Sequence, residues 1–465
     1  MSDATTRALA RRSLELLDRD IPGRVLDAAA LRLLDTLACA AGGSDSPPAA
    51  IARAIAARHS GTPPARVLGT AAATDVEHAA FAGAVMARYL DCNDTYAGAG
   101  SGHPSDMVPA LLAVAESVRA PGPALLRAIV AGYEAYGAIA KTVSVRSRGW
   151  DQGVMTGLGA TVGAGLLLGL GQERLEHAVA LAATMSVPTR ATRAGALSMW
   201  KGCATAAAVR LGVFAAQLAA DGMTGPDRAF EGKDGLWQQV TGEFAVRPFG
   251  GSEPWLVEAT SIKERPVEFH AQAPVEMVLA LREEAGVDAA DVAGVRVDTY
   301  WNAYDEIAGD PAKWSPETRE TADHSLPYLV AVALVHGPVT VRSFDPERLA
   351  DPEVRALLAR VTVREDPGFT ARWPGEAPCR VTVTTHEGRT RTAERTHPLG
   401  HPARPLSRQS VETKFTTLAT PLLGPEGAAR ALEGLRGVAE TEDAGRIVDL
   451  LVPPDGGGAD AGARG

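Results

Sequence analysis

The stretch Gly153-Val-Met-Thr-Gly-Leu-Gly-Ala-Thr-Val-Gly-Ala-Gly-Leu-Leu-Leu-Gly-Leu-Gly171 runs nineteen residues without a charge, close to the length that spans a bilayer. Seven of the nineteen are glycine, which adds little transfer free energy. The segment therefore reads as a helix inside a protein core, whose small residues let neighbouring backbones approach. Gly157, Gly159 and Gly163 do not form a dinucleotide loop, because no strand precedes them and their spacing departs from the Rossmann fingerprint. The implied fold is a helical core with no membrane span.

Outward from this stretch, alanine and leucine recur at helical spacing from the N-terminus to about residue 245. Val25, Ala29, Leu33, Leu34 and Leu37 mark one face of a helix that stops at Gly42-Gly43. The same pattern predicts helices around 48–59, 74–91, 107–118, 123–142, 153–170, 174–185, 200–220 and 225–231. After Lys263 the character changes. A helix is predicted over 270–285, and the segments 295–300, 360–364 and 380–384 alternate as half-buried strands, with His386-Glu-Gly388 as a hairpin turn. Helical pattern returns at 408–419 and 426–450. The fold class is mainly α with an α+β second domain: helices over 1–262, an α+β domain over 263–402, and helices over 403–452 that can pack back on the first. Residues 453–465 carry no core-forming side chains and are expected to be a disordered tail.

The 465 residues are about three times a typical domain, and their composition (46% hydrophobic, 22% charged) is that of a globular protein. A net charge of -10 argues against nucleic acid as a partner, since phosphate binding needs a basic footprint. Cys39, Cys92, Cys203 and Cys379 are far apart, which indicates neither an iron–sulfur cluster nor a disulfide scaffold. With charges where a signal peptide needs an apolar run, the expected location is the cytoplasm. Six lysines stand against forty arginines, so each lysine is worth examining, because a buried ammonium can change its protonation state.

The densest candidate for chemistry is Leu90-Asp-Cys-Asn-Asp-Thr-Tyr-Ala-Gly-Ala-Gly-Ser-Gly-His-Pro-Ser-Asp106. Asp91 and Asp94 fall three apart near a helix C-terminus, where carboxylates oppose the helix dipole and a site is one reason to keep them. The glycine-rich turn can present backbone N–H groups and His103 to an anion; a polar loop with a merely satisfied histidine is the plain alternative. Lys201 opens a long helix against the dipole, which a bound anion would explain, and Lys263 lies at the domain junction, where clefts are common. A solvated lysine and a linker charge are the ordinary readings. His324 and Tyr328 begin another apolar helix and suit a core edge equally.

Taken together, these segments resemble the MmgE/PrpD superfamily of dehydratases, decarboxylases and epimerases acting on carboxylic acids. The resemblance runs from Asp35-Thr-Leu-Ala-Cys-Ala-Ala-Gly-Gly43 to Leu399-Gly-His-Pro-Ala-Arg-Pro-Leu406. It is most specific at Leu90-Asp-Cys-Asn-Asp-Thr95 and Gly102-His-Pro-Ser-Asp106, with support from Ser198-Met-Trp-Lys-Gly202, the Glu268-Phe-His270 segment and Asp323-His-Ser-Leu-Pro-Tyr328. It implies a large helical domain built from both chain ends, a smaller α+β lid, a homodimer, no cofactor, no metal, and a di- or tricarboxylate substrate in the cleft. By motif, His103, Asp91, Thr95, Lys263 and Tyr328 would be catalytic. Asn93, Asp94, Ser101, Ser105, Gln152, Lys201 and His270 would contact substrate. Two positions depart: Gln152 stands where members often have histidine, and Leu197 where some have lysine.

The implied reaction is dehydration of a 2-methylcitrate-like β-hydroxy acid, with His103 moving the proton and Lys263 and Lys201 neutralising the charge that develops. Decarboxylation or epimerisation would use the same parts. Outside this class stand a metal-dependent hydrolase built on Asp91, Asp94 and His103, and a catalytically silent helical scaffold.

Overall fold

The computed structural model describes residues 2–250, 254–284 and 286–454. Beyond residue 454, the expected tail lies outside the described residues. The first apolar core is helical: α1 (Ala4–Asp18), α2 (Gly23–Gly42), α3 (Pro47–Ala56), α4 (Val76–Tyr89), α5 (Val108–Ser117), α6 (Gly122–Ala140), α7 (Gly153–Leu167), α8 (Gln172–Met185) and α9 (Trp200–Ala220). Local chemistry sets several starts: the side chains of Asp3, Ser46 and Asp75 accept backbone N–H groups at the heads of α1, α3 and α4.

The opening stretch is α7, buried along nearly its whole length. Its glycines serve two backbone crossings. A Cβ on Gly159 would lie 2.6 Å from the Gly132 carbonyl oxygen of α6, and one on Gly212 of α9 would lie 2.4 Å from the Gly157 carbonyl oxygen. Helix α9 is long and apolar enough to cross a bilayer by length and composition, but it packs against α4, α7 and α8 within the core.

The second core is formed by α10 (Gln272–Glu284), α11 (Leu326–His336) and a sheet of β1 (Val292–Thr299), β2 (Val361–Glu365), β3 (Cys379–Thr385) and β4 (Thr390–Arg395), in the order β2-β1-β3-β4. β1 pairs in parallel with β2 and antiparallel with β3, and the predicted β3–β4 hairpin is present. Alternation puts Val295, Val297, Val361, Val363, Val381 and Val383 inside, against α10 and α11. The returning helix α12 (Arg408–Arg436) packs on α2, and Val411, Phe415, Ala419, Leu423, Ala428 and Ala431 join the first core. It breaks at Gly424, whose φ is +70°. The predicted helix 426–450 is interrupted too, because the chain leaves the helix at Gly437 and resumes only at Gly445–Asp449.

The helix predicted over 225–231 is absent. There the N–H groups of Phe230 and Glu231 donate to the Asp3 carboxylate at 2.8 and 3.0 Å, which satisfies them as turns.

Gly159→Ala tests the helix crossing by sign. Helix propensity alone would stabilise the variant by about 1 kcal/mol. The contacts at 2.5 Å with Met107 Cε and 2.6 Å with the Gly132 carbonyl reverse this, with an expected net loss of about 1–3 kcal/mol in urea denaturation. A more stable variant would contradict the crossing.

Candidate active site

α4 ends at Tyr89, and Asp91 adopts a left-handed backbone with φ of +50°, so it leaves the helix and turns its carboxylate inward. The chain then exchanges hydrogen bonds between Thr95 and Ser261, and between Tyr96 and Gly102, which brings the glycine-rich turn back on itself. Three of its backbone donors are used internally: the N–H groups of Gly98, Gly100 and Gly102 go to Ser101 Oγ, the Ala140 carbonyl and the Tyr96 carbonyl.

Asn93, Asp94 and Ser105, read as substrate contacts, are instead the buried frame of this loop. Asn93 donates to Ser105 Oγ and Asp106 at 2.8 and 2.7 Å, and the Asp94 carboxylate accepts from Ser105 N–H and the Tyr133 hydroxyl at 3.1 and 3.0 Å. The frame fixes His103. Its Nδ1 lies 2.7 Å from the Asp94 carbonyl and 3.1 Å from the Thr95 hydroxyl, and its N–H donates to Gln152 Oε1 at 2.8 Å. A carbonyl only accepts, so Nδ1 carries the proton and Nε2 keeps its lone pair. Burial, reinforced by Arg88 and Lys263, holds the imidazole well below its ordinary pKa, leaving it a neutral base at pH 7.

Under the loop, Asp91 is fully buried among cations. Its Oδ1 is 2.9 Å from Arg88 Nη1 and is bonded by the Lys263 ammonium, which also donates to the Asp91 carbonyl at 2.7 Å. Oδ2 is 3.4 Å from Lys201 Nζ and 3.5 Å from His324 Nε2. Burial alone would raise this carboxyl; Arg88, Lys263 and Lys201 outweigh it and hold it well below the carboxylate range. Lys201 in turn contacts both oxygens of Asp323 at 2.7 and 2.9 Å. The anion that offsets a lysine at the head of α9 is thus a carboxylate of the protein itself.

Above this cluster lies a cavity of about 310 Å³. His103, Thr95, Ser101, Gln152 and His270 of the sequence-derived set line it. So do four arginines, Arg88, Arg146, Arg190 and Arg193, and three groups the sequence reading did not select: Glu268, Glu306 and His324. Arg146 and Arg190 share Glu306 at 2.8 and 2.7 Å, and Arg193 Nε holds Asp151 at 2.8 Å while its buried Nη2 has no hydrogen-bond partner among the described residues. Glu268 is pushed up to about 8, chiefly by burial and then by Glu306, so it is largely protonated at pH 7. Each of the four arginines is met by an acid, Arg88 by Asp91, Arg146 by Glu306 and Asp305, Arg190 by Glu306 and Arg193 by Asp151, so the wall is rich in guanidinium groups that are already paired.

Lys201 and Lys263 do not line the cavity. Both are 1% exposed and committed to carboxylates, whereas the four arginines line the cavity. Tyr328 is not brought to the cavity either: its hydroxyl donates to the Ser343 carbonyl within the second core. Asp91 and Asp94, three apart after the end of α4, part into separate networks because the chain leaves the helix at Asp91. Asp91, Asp323 and His324 have the atom types and proximity of a metal site, but the Lys201 and Lys263 ammonium groups already occupy the carboxylate edges.

Asp91→Asn would take from Arg88 and Lys263 the buried carboxylate they share, and from Lys201 one of its two, at an expected cost of about 3–5 kcal/mol at pH 7. Because the native carboxyl is held below its unfolded value of about 3.9, its contribution is present above that pH and is lost as pH falls toward the native value. Urea denaturation should show the difference from the parent shrinking below about pH 4. Equal stability at pH 7 would contradict the cluster.

Known proteins bear on this geometry. Residues 7–248 match the MmgE/PrpD N-terminal domain and residues 266–436 the MmgE/PrpD C-terminal domain. A 2-methylcitrate dehydratase of Cupriavidus necator is 33% identical over 328 residues, and one of Escherichia coli (strain K12) is 31% identical over 333. Each alignment covers 66% of this chain and 66% of the relative, just under two thirds. An alkylcitrate dehydratase of a fungal species is 28% identical over 384 residues, 75% of this chain and 74% of that protein. The paired domain matches take in most of the sequence, and the chain belongs to the MmgE/PrpD family.

Proposed function

We propose that this protein is a cofactor-independent hydro-lyase that removes water from a 2-methylcitrate-like hydroxy di- or tricarboxylic acid. The observation that carries the proposal is the pairing, in one cavity, of a neutral imidazole base with an arginine-rich wall. Such a wall suits carboxylates, since guanidinium groups meet them in bidentate geometry. Val145, Trp150, Phe269, Trp373 and Pro374 form an apolar part of the same lining, which fits an alkyl substituent. The names of the dehydratase relatives point the same way.

In this reading, substrate carboxylates sit on Arg146, Arg190 and Arg193, and His103 Nε2 removes the proton α to a carboxylate. The charge that develops is stabilised by the arginines and by the field of the cation cluster around Asp91. Thr95 and the Asp94 carbonyl hold the imidazole in the competent tautomer, and Gln152 fixes its backbone. Gln152 can bind but cannot move a proton, so one histidine carries the base role on its side of the cavity. Dehydration is favoured over the metal-hydrolase alternative because the Asp91 carboxylate is clamped by lysines and His103 meets Asp94 through its carbonyl. The proposal extends to a homodimer acting in the cytoplasm, and to a tailoring role on alkyl-substituted acids in a biosynthetic pathway.

A mass-spectrometric screen with 2-methylcitrate, citrate, cis-aconitate and alkyl-substituted analogues tests the assignment. Loss of one water from a hydroxy acid is expected, and release of carbon dioxide instead would make the enzyme a decarboxylase. His103→Ala should lower kcat by about 10²–10⁴ with substrate binding retained. Near-parental turnover in that variant would remove His103 from the mechanism.

A further inference from the structure

Eliminating water needs two proton transfers. A base takes the α proton, and an acid must reach the hydroxyl oxygen, because hydroxide is a poor leaving group at neutral pH. Among the cavity carboxyls, Glu306 is held by Arg146 and Arg190, and Asp151 by Arg193, so neither has a proton to give. Glu268 differs. No Lys or Arg lies within ion-pair distance of it among the described residues, and the His270 ring Nε2 lies 3.9 Å from its Oε1. Its Oε2 accepts the His270 N–H at 2.6 Å, which fixes the carboxyl, while Oε1 has no hydrogen-bond partner among the described residues and Glu268 lines the cavity. The His270 ring is itself anchored, through Nδ1, to the Tyr300 hydroxyl, and Tyr300 stacks on Trp373 at 4.6 Å.

We propose that Glu268 is the acid that delivers a proton to the departing hydroxyl, an assignment that rests on the hydro-lyase reading above. In the step, His103 Nε2 takes the α proton and the C–H electrons form the double bond. The C–O bond breaks with its electrons on oxygen, and that oxygen takes the Glu268 proton and leaves as water. Glu268 ends as a carboxylate and His103 as an imidazolium, and a net proton transfer from His103 to Glu268 through solvent resets the site.

The surroundings agree with this role. The groups facing Glu268 are Glu306 from the segment after β1, Asp91 from the loop after α4, Lys263 from the junction, and the His270 ring. Burial and Glu306 together place its titration at about 8, while His103 is displaced the opposite way. Two titratable groups pushed apart in one cavity are the pattern expected of an acid and a base.

The test compares two leaving groups on the parent and on Glu268→Gln. On the hydroxy acid that the parent dehydrates, Glu268→Gln is expected to lose about 10²–10⁴ in kcat with KM little changed. On the same acid with fluorine in place of the hydroxyl, whose departure needs far less help from an acid, the variant should retain a rate within a few-fold of the parent. Parent kcat/KM for the hydroxy acid should fall above about pH 8, as Glu268 loses its proton, with no matching fall for fluoride elimination. Fluoride elimination also reports that the variant is folded, and Glu268→Asp, with the carboxyl retained, should recover part of the lost rate. Equal losses on both substrates, or undiminished dehydration by Glu268→Gln, would overturn the assignment. A parent that eliminates neither water nor fluoride from any acid would overturn the hydro-lyase reading itself, and this proposal with it.

Discussion

A single buried carboxylate, that of Asp91, organises the molecule. Its partners arrive from the end of α4, the head of α9, the junction at Lys263 and the segment before α11, so it ties both apolar cores to one point. Such a cluster is weak evidence for net stability, because desolvating the ions offsets much of their attraction. Its effect is on geometry. Any arrangement in which one arm withdraws leaves a charge buried without a partner, which is far more costly than the intact cluster.

The consequence for chemistry is that the cavity floor carries fixed charge. Arg88 and Lys263 reinforce burial in keeping His103 neutral, while Asp91 pulls weakly the other way. His324, at the edge of the same cluster, is pushed down to about 4 by burial and then by Lys201, so it too is uncharged near neutrality. In the proposed function, substrate charge is met by guanidinium groups that keep their proton at any working pH. Lys263, read as catalytic, and Lys201, read as a substrate contact, are both held as counter-ions of buried carboxylates. The scarcity of lysine was a true signal, since Lys201, Lys263 and Lys414 are all buried in ion pairs, but what it marked was position, not contact.

Legibility followed the range of the forces involved. The period of α7 and its glycines is local, and so are the alternation of β1 and the hairpin turn at Gly388, and these were readable along the chain. Of the cavity lining, His103 stands out in the glycine-rich loop itself, while Thr95 and Gln152 enter only through the family resemblance. The site was not readable where partners are remote: Lys263 meets Asp91 across 172 positions. Forty arginines gave no reason to prefer Arg146, Arg190 and Arg193, which only folding brings together. Glu268 stood inside a quoted motif, but its lack of a cationic partner is a property of three-dimensional surroundings. The turn at 225–231 was misread for the same reason, since Asp3 competes for its N–H groups from the far end of the sequence.

The most direct measurement is a crystal structure of the protein with tricarballylate, a tricarboxylate with no hydroxyl to lose. The account requires its carboxylates on Arg146, Arg190 and Arg193, a CH₂ or CH carbon against His103 Nε2, and the Asp91 cluster intact beneath. Carboxylates bound instead to Lys201 and Lys263, with Asp91 displaced, or a ligand lodged away from this cavity, would contradict it.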